Sequence, residues 1–345
     1  MDNYYDGTKL LSLLDLNNRK PEIFLCCSNR SAGKTTYFGR WFVKRFLDKK
    51  EKFGLIYRYN YELSDVGNKF FNELQKLFFP DSKMESRTRA KGIYTELTLN
   101  GEVCGYAISI NNADQIKKLS HLFADVRRLL FDEFQSESNH YCDNELQKFI
   151  SIHTSIARGN GEQVRYLPVY MLGNYVSLLN PYFSALGISD RIRSDTNFMR
   201  GEGWVLEQGF NEMASGLQKT SAFNRAFENE KYIQYASEKV YLNDNSAFIE
   251  RPEGTSKYVC TIIYDGKNYG IREYKEKGIV FCDSSADLSF PVKLCASTED
   301  HNINYILMRS NDTMIGILRW YFEHGVFRFR NLECKKAILD ICAYR

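Results

Sequence analysis

The segment Ser28-Asn29-Arg30-Ser31-Ala32-Gly33-Lys34-Thr35 restricts the fold of this chain more than any other. It fits the pattern G-x-x-x-x-G-K-[ST] at every fixed position but the first, where Ser28 stands in place of glycine. The short apolar run Ile23–Cys27 precedes it, and Phe38, Trp41, Phe42 and Phe46 follow at helical spacing. The expected order is therefore strand, loop, helix. In such a loop successive backbone N–H groups converge on one concavity, and the helix dipole adds positive potential, so the segment suits a triphosphate. On this reading Ser28, Asn29, Arg30, Ser31, Ala32, Gly33, Lys34, Thr35 and Thr36 bind a nucleoside triphosphate, with Lys34 on the β/γ-phosphates and Thr35 on Mg²⁺. Ser28 carries a Cβ into a turn that glycine usually makes.

A phosphate loop alone does not separate kinase, GTPase and motor. The strand Leu129–Phe131 runs into Asp132-Glu133. There Asp132 is placed to hold Mg²⁺ and Glu133 to orient or deprotonate an attacking water, which points to NTP hydrolysis. The H-R-D and D-F-G elements of protein kinases are missing from the sequence. Asn174, after the strand Val169–Leu172, is placed to sense the γ-phosphate, and Arg158, ahead of Gly159-Asn160-Gly161, sits in a loop able to project a guanidinium outward.

At about 150 residues per domain, a chain of 345 residues accommodates two. Strands are expected at Gly54–Tyr59, Tyr94–Leu99, Gly105–Ile110, Leu129–Phe131 and Arg165–Leu172, with a turn at Asn100-Gly101. Alternation of these strands with helices predicts an α/β P-loop NTPase domain with a mostly parallel sheet over residues 1–205. A Glu/Lys/Ala/Gln-rich stretch, 206–243, reads as a helical linker or lid. Residues 244–345 read as a smaller α+β domain: a meander over Tyr258–Tyr264, Tyr269–Tyr274 and Gly278–Cys282, then a helix with Met314, Ile317, Leu318, Tyr321 and Phe322 on one face. Gly325 is expected to cap that helix, and a last helix to start at Asn331.

Lys and Arg against Asp and Glu count 28 to 24 over 1–205, 4 to 5 over 206–243 and 14 to 14 over 244–345, for a net charge of +3. Any grip on nucleic acid must then come from local placement of basic groups. The densest cluster is Lys83, Arg87, Arg89 and Lys91, read as a loop ahead of the Asn100-Gly101 hairpin and as a candidate DNA contact. Nine cysteines without a C-x-x-C pair read as reduced core thiols, and five scattered histidines offer no zinc pattern. With no basic leader and no apolar run of ~18 residues, the expectation is a soluble intracellular protein.

Taken together, Ser28–Thr36, Leu129–Phe134, Ile156–Arg165 and Gly173-Asn174 followed by Ser177–Phe183 resemble the genome-packaging ATPases of phi29-type tailed phages. The resemblance extends more loosely to Phe248–Arg251 and Lys257–Gly266. It implies a homo-oligomeric ring, a pentamer, docked at the procapsid portal in the host cytoplasm and driving double-stranded DNA inward. It makes Arg30 the arginine inside the loop, Glu133 the catalytic glutamate and Arg158 a finger acting on a neighbouring subunit, and it places a trans-acting lysine at Lys117 or Lys118. It also implies that the second domain resembles a ribonuclease-H-like fold without nuclease chemistry, serving for docking on the portal or a scaffold RNA. The residues agree, because Asp265 and Asp283 are better explained as turn and strand-end groups than as two-metal ligands. Alternatives are a terminase with an active nuclease and a nucleotide-switched nucleic-acid-binding protein that performs no work.

Overall fold

The computed structural model describes residues 5–66, 70–158, 163–189, 191–192, 195–309 and 312–343. Two compact units emerge: Met1–Leu186 with Ile192–Asn243, and Asp244–Arg345 with Gly187–Arg191.

In the first unit, β1 (Ile23–Cys27) pairs in parallel with β7 (Val169–Gly173) on one side and β9 (Trp204–Gln208) on the other. From β7 the sheet continues in parallel through β6 (Val126–Phe131), β2 (Lys52–Tyr57) and β5 (Glu102–Ser109). Antiparallel β4 (Tyr94–Leu99) and β3 (Met84–Arg89) close one edge, and antiparallel β8 (Phe198–Gly201) closes the other. The nine-stranded order is β3-β4-β5-β2-β6-β7-β1-β9-β8, so the unit is mixed α/β around a mostly parallel sheet. Its inner strands are buried almost throughout, as expected where helices cover both faces.

Helix Lys34–Lys49 buries Phe38, Phe42 and Phe46, the stripe expected from their spacing. Phe38 and Phe42 pack on Tyr170, which stacks on Phe24 at 4.9 Å. Each such ring contributes roughly 1.5–3 kcal/mol by burial, so this aromatic layer fixes the helix, and the loop at its start, on the sheet.

The turn Asn100-Gly101 has both φ positive, +53° and +83°, as a two-residue hairpin requires. The cluster read as a loop turns out differently. Lys83 leads into β3, and Arg87 and Arg89 lie on it, paired in register with Glu96 and Tyr94 of β4. Its alternating charged and hydroxyl residues gave no apolar period, which is why an exposed edge strand read as loop.

Helices Glu212–Thr220, Ala222–Ala226 and Lys231–Ser237 make up most of the stretch expected as linker or lid, and they belong to the first unit. The expected start of that stretch, between 205 and 206, falls inside β9.

The second unit is a six-stranded sheet, β14 (Ile306–Leu307), β13 (Lys293–Cys295), β10 (Lys257–Tyr264), β11 (Lys267–Tyr274), β12 (Ile279–Asp283) and β15 (Phe327–Phe329) in that spatial order. The expected meander β10–β12 is its antiparallel centre, with parallel strands on both flanks. Helices Thr313–Glu323 and Leu332–Ala343 pack in the core of the unit. The first of these buries Ile315 and Leu318, whereas Ile317, expected on that face, is 41% exposed. Ile315 and Ile317 are two residues apart, about 200° around the helix, so they fall on opposite faces and only one of them can meet the core. Gly325 takes φ +68° after this helix, and the Asn331 side chain caps the next by accepting from Cys334 N–H at 2.8 Å. All nine cysteines are free, and eight are buried. Among the described residues no helix is long and apolar enough to cross a membrane.

Candidate nucleotide site

The loop leaving β1 turns through Ser31 at φ +60° and Gly33 at φ +87°, then enters the helix at Lys34. Glycine is needed at 33 for that left-handed step. Ser28 needs none of glycine's freedom, because its φ is negative. Its N–H donates to the Gly173 carbonyl at 3.2 Å, and its hydroxyl accepts from Lys34 Nζ at 2.8 Å. The departure from the glycine pattern thus supplies a polar partner to the loop lysine.

Lys34 is only 7% exposed. Its other partners are the Asn29 carbonyl at 3.3 Å and Asn174 Oδ1 at 3.0 Å, all of them neutral oxygens. Burial lowers the pKa of this ammonium, and among the described residues it makes no ion pair. Uncompensated buried charge is costly, so the cavity of about 400 Å³ above it, lined by loop residues with Asp132, Glu133 and Asn174, is matched to an anion.

Thr35 Oγ1 donates to Asp132 Oδ2 at 2.9 Å, and burial raises the Asp132 pKa. Among the described residues no group of three or more His, Cys, Asp or Glu could hold a metal. One hydroxyl and one carboxylate are instead the sparse hard-oxygen set that suits Mg²⁺, which keeps waters and substrate phosphates in its shell.

Glu133 follows with φ +53°, its N–H donating to Asp132 Oδ1 at 3.0 Å. Burial, then the neighbouring charges of Asp132 and Glu137, raise its pKa. Arg58, just after β2, holds this backbone: Nη2 donates to the Phe134 carbonyl at 2.8 Å, Nη1 to the Glu133 carbonyl at 3.3 Å, and Nε to Glu145 Oε2 at 2.9 Å. Glu145 also accepts from Tyr182 at 2.8 Å. Nothing in the spacing of Arg58, Glu145 and Tyr182 announced this buried support.

Arg30 turns toward Glu137 in an ion pair, and Tyr232 and Tyr235 of helix Lys231–Ser237 donate to the same carboxylate. Asn29 and Asn211 exchange two bonds: Asn29 Nδ2 donates to the Asn211 carbonyl at 3.1 Å, and Asn211 N–H to Asn29 Oδ1 at 2.9 Å. Asn211 also caps helix Glu212–Thr220 by accepting from Ala214 N–H. The 206–243 helices are thereby clipped directly to the phosphate loop.

Other expected site residues lie apart from this centre. Arg158 is exposed just after helix Glu145–Ile156, and residues 159–162 of its loop lie outside the described residues. Lys117 and Lys118 are exposed on helix Ala113–Lys118, with Lys117 3.4 Å from Asp114, and neither lines the cavity. Lys83 pairs with Glu85 at 3.0 Å and Arg89 with Glu96, while Arg87 and Lys91 are exposed.

Because β7 lies between β1 and β6, the phosphate loop and the acidic pair flank an intervening strand tip that carries Asn174, which is the layout of an additional-strand P-loop NTPase. Within that class the chain belongs to the podovirus DNA encapsidation protein (Gp16) family, whose profile matches residues 1–343. It is 26% identical over 347 aligned residues to the DNA packaging protein of Bacillus phage phi29, covering 98% of this chain and 96% of that protein. It is 25% identical over 308 residues to the DNA packaging protein of Bacillus phage B103, covering 88% and 90%. Its fold matches a chain of the bacteriophage Phi-29 viral genome packaging motor assembly with a TM-score of 0.73 at 22% identity, covering 99% and 98%. It also matches the Phi-28 gp11 DNA packaging motor with a TM-score of 0.64 at 15% identity and the same coverage.

Proposed function

We propose that this protein is an ATPase that hydrolyses ATP as a homo-oligomeric ring, a pentamer, to drive double-stranded viral DNA through the portal of a preformed procapsid in the host cytoplasm. The observation that carries the reading is Lys34, a buried ammonium held, among the described residues, by neutral oxygens at the mouth of a cavity sized for a triphosphate. Family membership supplies the DNA-packaging context.

Lys34 binds the β/γ-phosphate oxygens, and their charge supplies the compensation that its burial lacks. Thr35 and Asp132 would hold Mg²⁺, which, when bound, neutralises charge on the phosphate oxygens. Glu133 accepts the proton of the attacking water, and burial raises its basicity. Asn174, bonded to Lys34, orients that ammonium at the γ-phosphate end. Arg30, tied to Glu137 and Tyr232, couples the loop to the 206–243 helices, which act as a lid. Arg158 serves a neighbouring subunit as a finger, and Lys117 or Lys118 acts with it. The exposed edge with Lys83, Arg87, Arg89 and Lys91 is the candidate DNA contact, through phosphates and without sequence preference. The 244–345 unit is a docking module for the portal, with a scaffold RNA as a further candidate partner, and nuclease chemistry is not assigned to it.

Electron microscopy of the protein with duplex DNA and a non-hydrolysable ATP analogue tests this reading. A ring with DNA in its pore is the expected result. A monomer that hydrolyses ATP at a rate indifferent to DNA would overturn it.

A further inference from the structure

Behind Glu133 lie three buried side chains, Arg58, Glu145 and Tyr182, that do not line the nucleotide cavity. Arg58 and Glu145 are 8% and 3% exposed, and burying two charged groups so deeply is costly unless they are paired and hydrogen-bonded, as these are. β2 and β6 pair in parallel with Ile56 beside Phe131, so the chain leaving β2 at Arg58 runs alongside the chain leaving β6 at Glu133. Glu133 stands there at φ +53°, a left-handed conformation that a residue with a Cβ keeps only where its surroundings hold it.

The peptide that follows Glu133 is pinned at both ends. Its carbonyl accepts from Arg58 Nη1 at 3.3 Å, and its N–H, that of Phe134, donates to the Leu172 carbonyl of β7 at 3.1 Å. Arg58 Nη2 takes the next carbonyl, of Phe134, at 2.8 Å. Fixing that peptide plane fixes the backbone torsion at Glu133, and with it the Cα–Cβ direction that sets its carboxylate in the cavity lining. Arg58 is oriented in turn by Glu145, whose Oε2 accepts from Nε at 2.9 Å and from the Cys142 N–H at 2.9 Å, while Oε1 accepts from the Tyr182 hydroxyl at 2.8 Å. The Phe131 and Tyr141 rings lie 5.7 and 5.1 Å from the guanidinium. A rigid planar fork serves one carboxylate and two carbonyls at once, whereas the single ammonium of a lysine cannot span them.

We infer that Arg58 is a positioning residue for hydrolysis: anchored on Glu145, it locks the left-handed turn that presents Glu133 to the attacking water, and it acts through the main chain and not on the nucleotide. This role rests on Glu133 being the base of the ATPase reading. Arg58 and Glu133 also border an adjoining cavity of about 290 Å³, so direct contact of Arg58 with phosphate is an outcome of the experiment.

The full chain is compared as wild type, as Arg58→Lys and as the paired Arg58→Met/Glu145→Gln variant, each also combined with Glu133→Gln. Arg58→Lys keeps a cation for Glu145, and the paired variant removes both charges together, so neither leaves a buried charge without its partner. Thermal melting checks the fold. Turnover, the KM for ATP and calorimetric affinity for a non-hydrolysable analogue are then measured. The expected result is a kcat lower by about 10²-fold in both variants, with KM and analogue affinity within about twofold of wild type, since the phosphate loop, Lys34 and Thr35 are untouched. Combined with Glu133→Gln, the same replacements should slow single-turnover hydrolysis no further, because a residue acting through Glu133 then has nothing left to position. Native kcat in both variants, in proteins that melt like wild type, would overturn the role. So would an equal further loss in the Glu133→Gln background, which marks a purely structural effect, or weakened analogue binding, which places Arg58 on the phosphates. Native turnover of Glu133→Gln alone would remove the base itself, and that result separates failure of the hydrolysis reading from failure of Arg58 as its support.

Discussion

Lys34 Nζ and Asn174 Oδ1 stand 3.0 Å apart although 140 residues separate them in sequence. The ammonium starts the helix after β1 and the amide tips β7, so the parallel pairing of β1 with β7 makes this bond. An amide oxygen there holds the lysine without neutralising it, which under the proposed function leaves its charge for phosphate. Asn174→Asp, which is nearly isosteric, should place a carboxylate against Lys34 and compete with the nucleotide. The expected result is a weakening of nucleotide affinity of about 1–3 kcal/mol, read by calorimetry with a non-hydrolysable analogue, whereas Asn174→Ala should lower turnover more than binding. Native affinity in Asn174→Asp would show that Lys34 does not meet the phosphates.

Glu133→Gln should keep nucleotide affinity and lose about 10²–10⁴ in kcat, because the loop, Lys34 and Thr35 are untouched while the proton acceptor is gone. The pH profile adds a second check. Burial, Asp132 and Glu137 raise the Glu133 pKa, and the base works only when ionised. The acidic limb of kcat/KM should therefore lie above the usual glutamate range and fall as pH drops through the raised value. Glu137→Gln removes one of the raising charges and should move that limb to lower pH. An unmoved limb would separate Glu133 from the titrating base.

A finger acting between subunits makes a distinct demand on mixing. Arg158→Ala and Glu133→Gln chains should each be nearly inactive, since loss of a finger can cost on the order of 10³ to 10⁵ in rate. Mixed under assembly conditions, they should regain part of the ATPase activity, because one supplies the arginine and the other the glutamate. No recovery in confirmed mixed assemblies would return Arg158 to its own subunit.

Asn29→Ala breaks both bonds to Asn211 and leaves an N–H at the start of helix Glu212–Thr220 without its partner. The expected cost is about 1–3 kcal/mol, seen as a lower melting temperature in the absence of nucleotide. Asn29→Asp keeps the acceptor for Asn211 N–H and should recover part of the loss. Equal melting of all three proteins would mean that the clip carries no stability.

What the sequence determined alone is what consecutive residues and local periodicity can specify. The phosphate loop is eight adjacent residues whose own backbone makes the cradle. Asp132-Glu133 ends a strand that its apolar run announces, and Asn100-Gly101 makes a turn because those two residue types tolerate positive φ. The alternating charges of β3 hid an exposed edge strand, because propensity is weak where an element is exposed, and the choice of Ile315 over Ile317 was lost because apolar residues stand on both sides of that helix. The tertiary structure decided the rest. Arg30 reaches Glu137 across 107 residues, and Asn29 reaches Asn211 across 182. Arg58 grips the carbonyl of Phe134 across 76. None of these polar groups carries a mark in sequence of the partner it will find. Strand order and the packing of the 206–243 helices choose that partner, and for the buried Asn29 and Arg58 the lack of water then makes the bond obligatory.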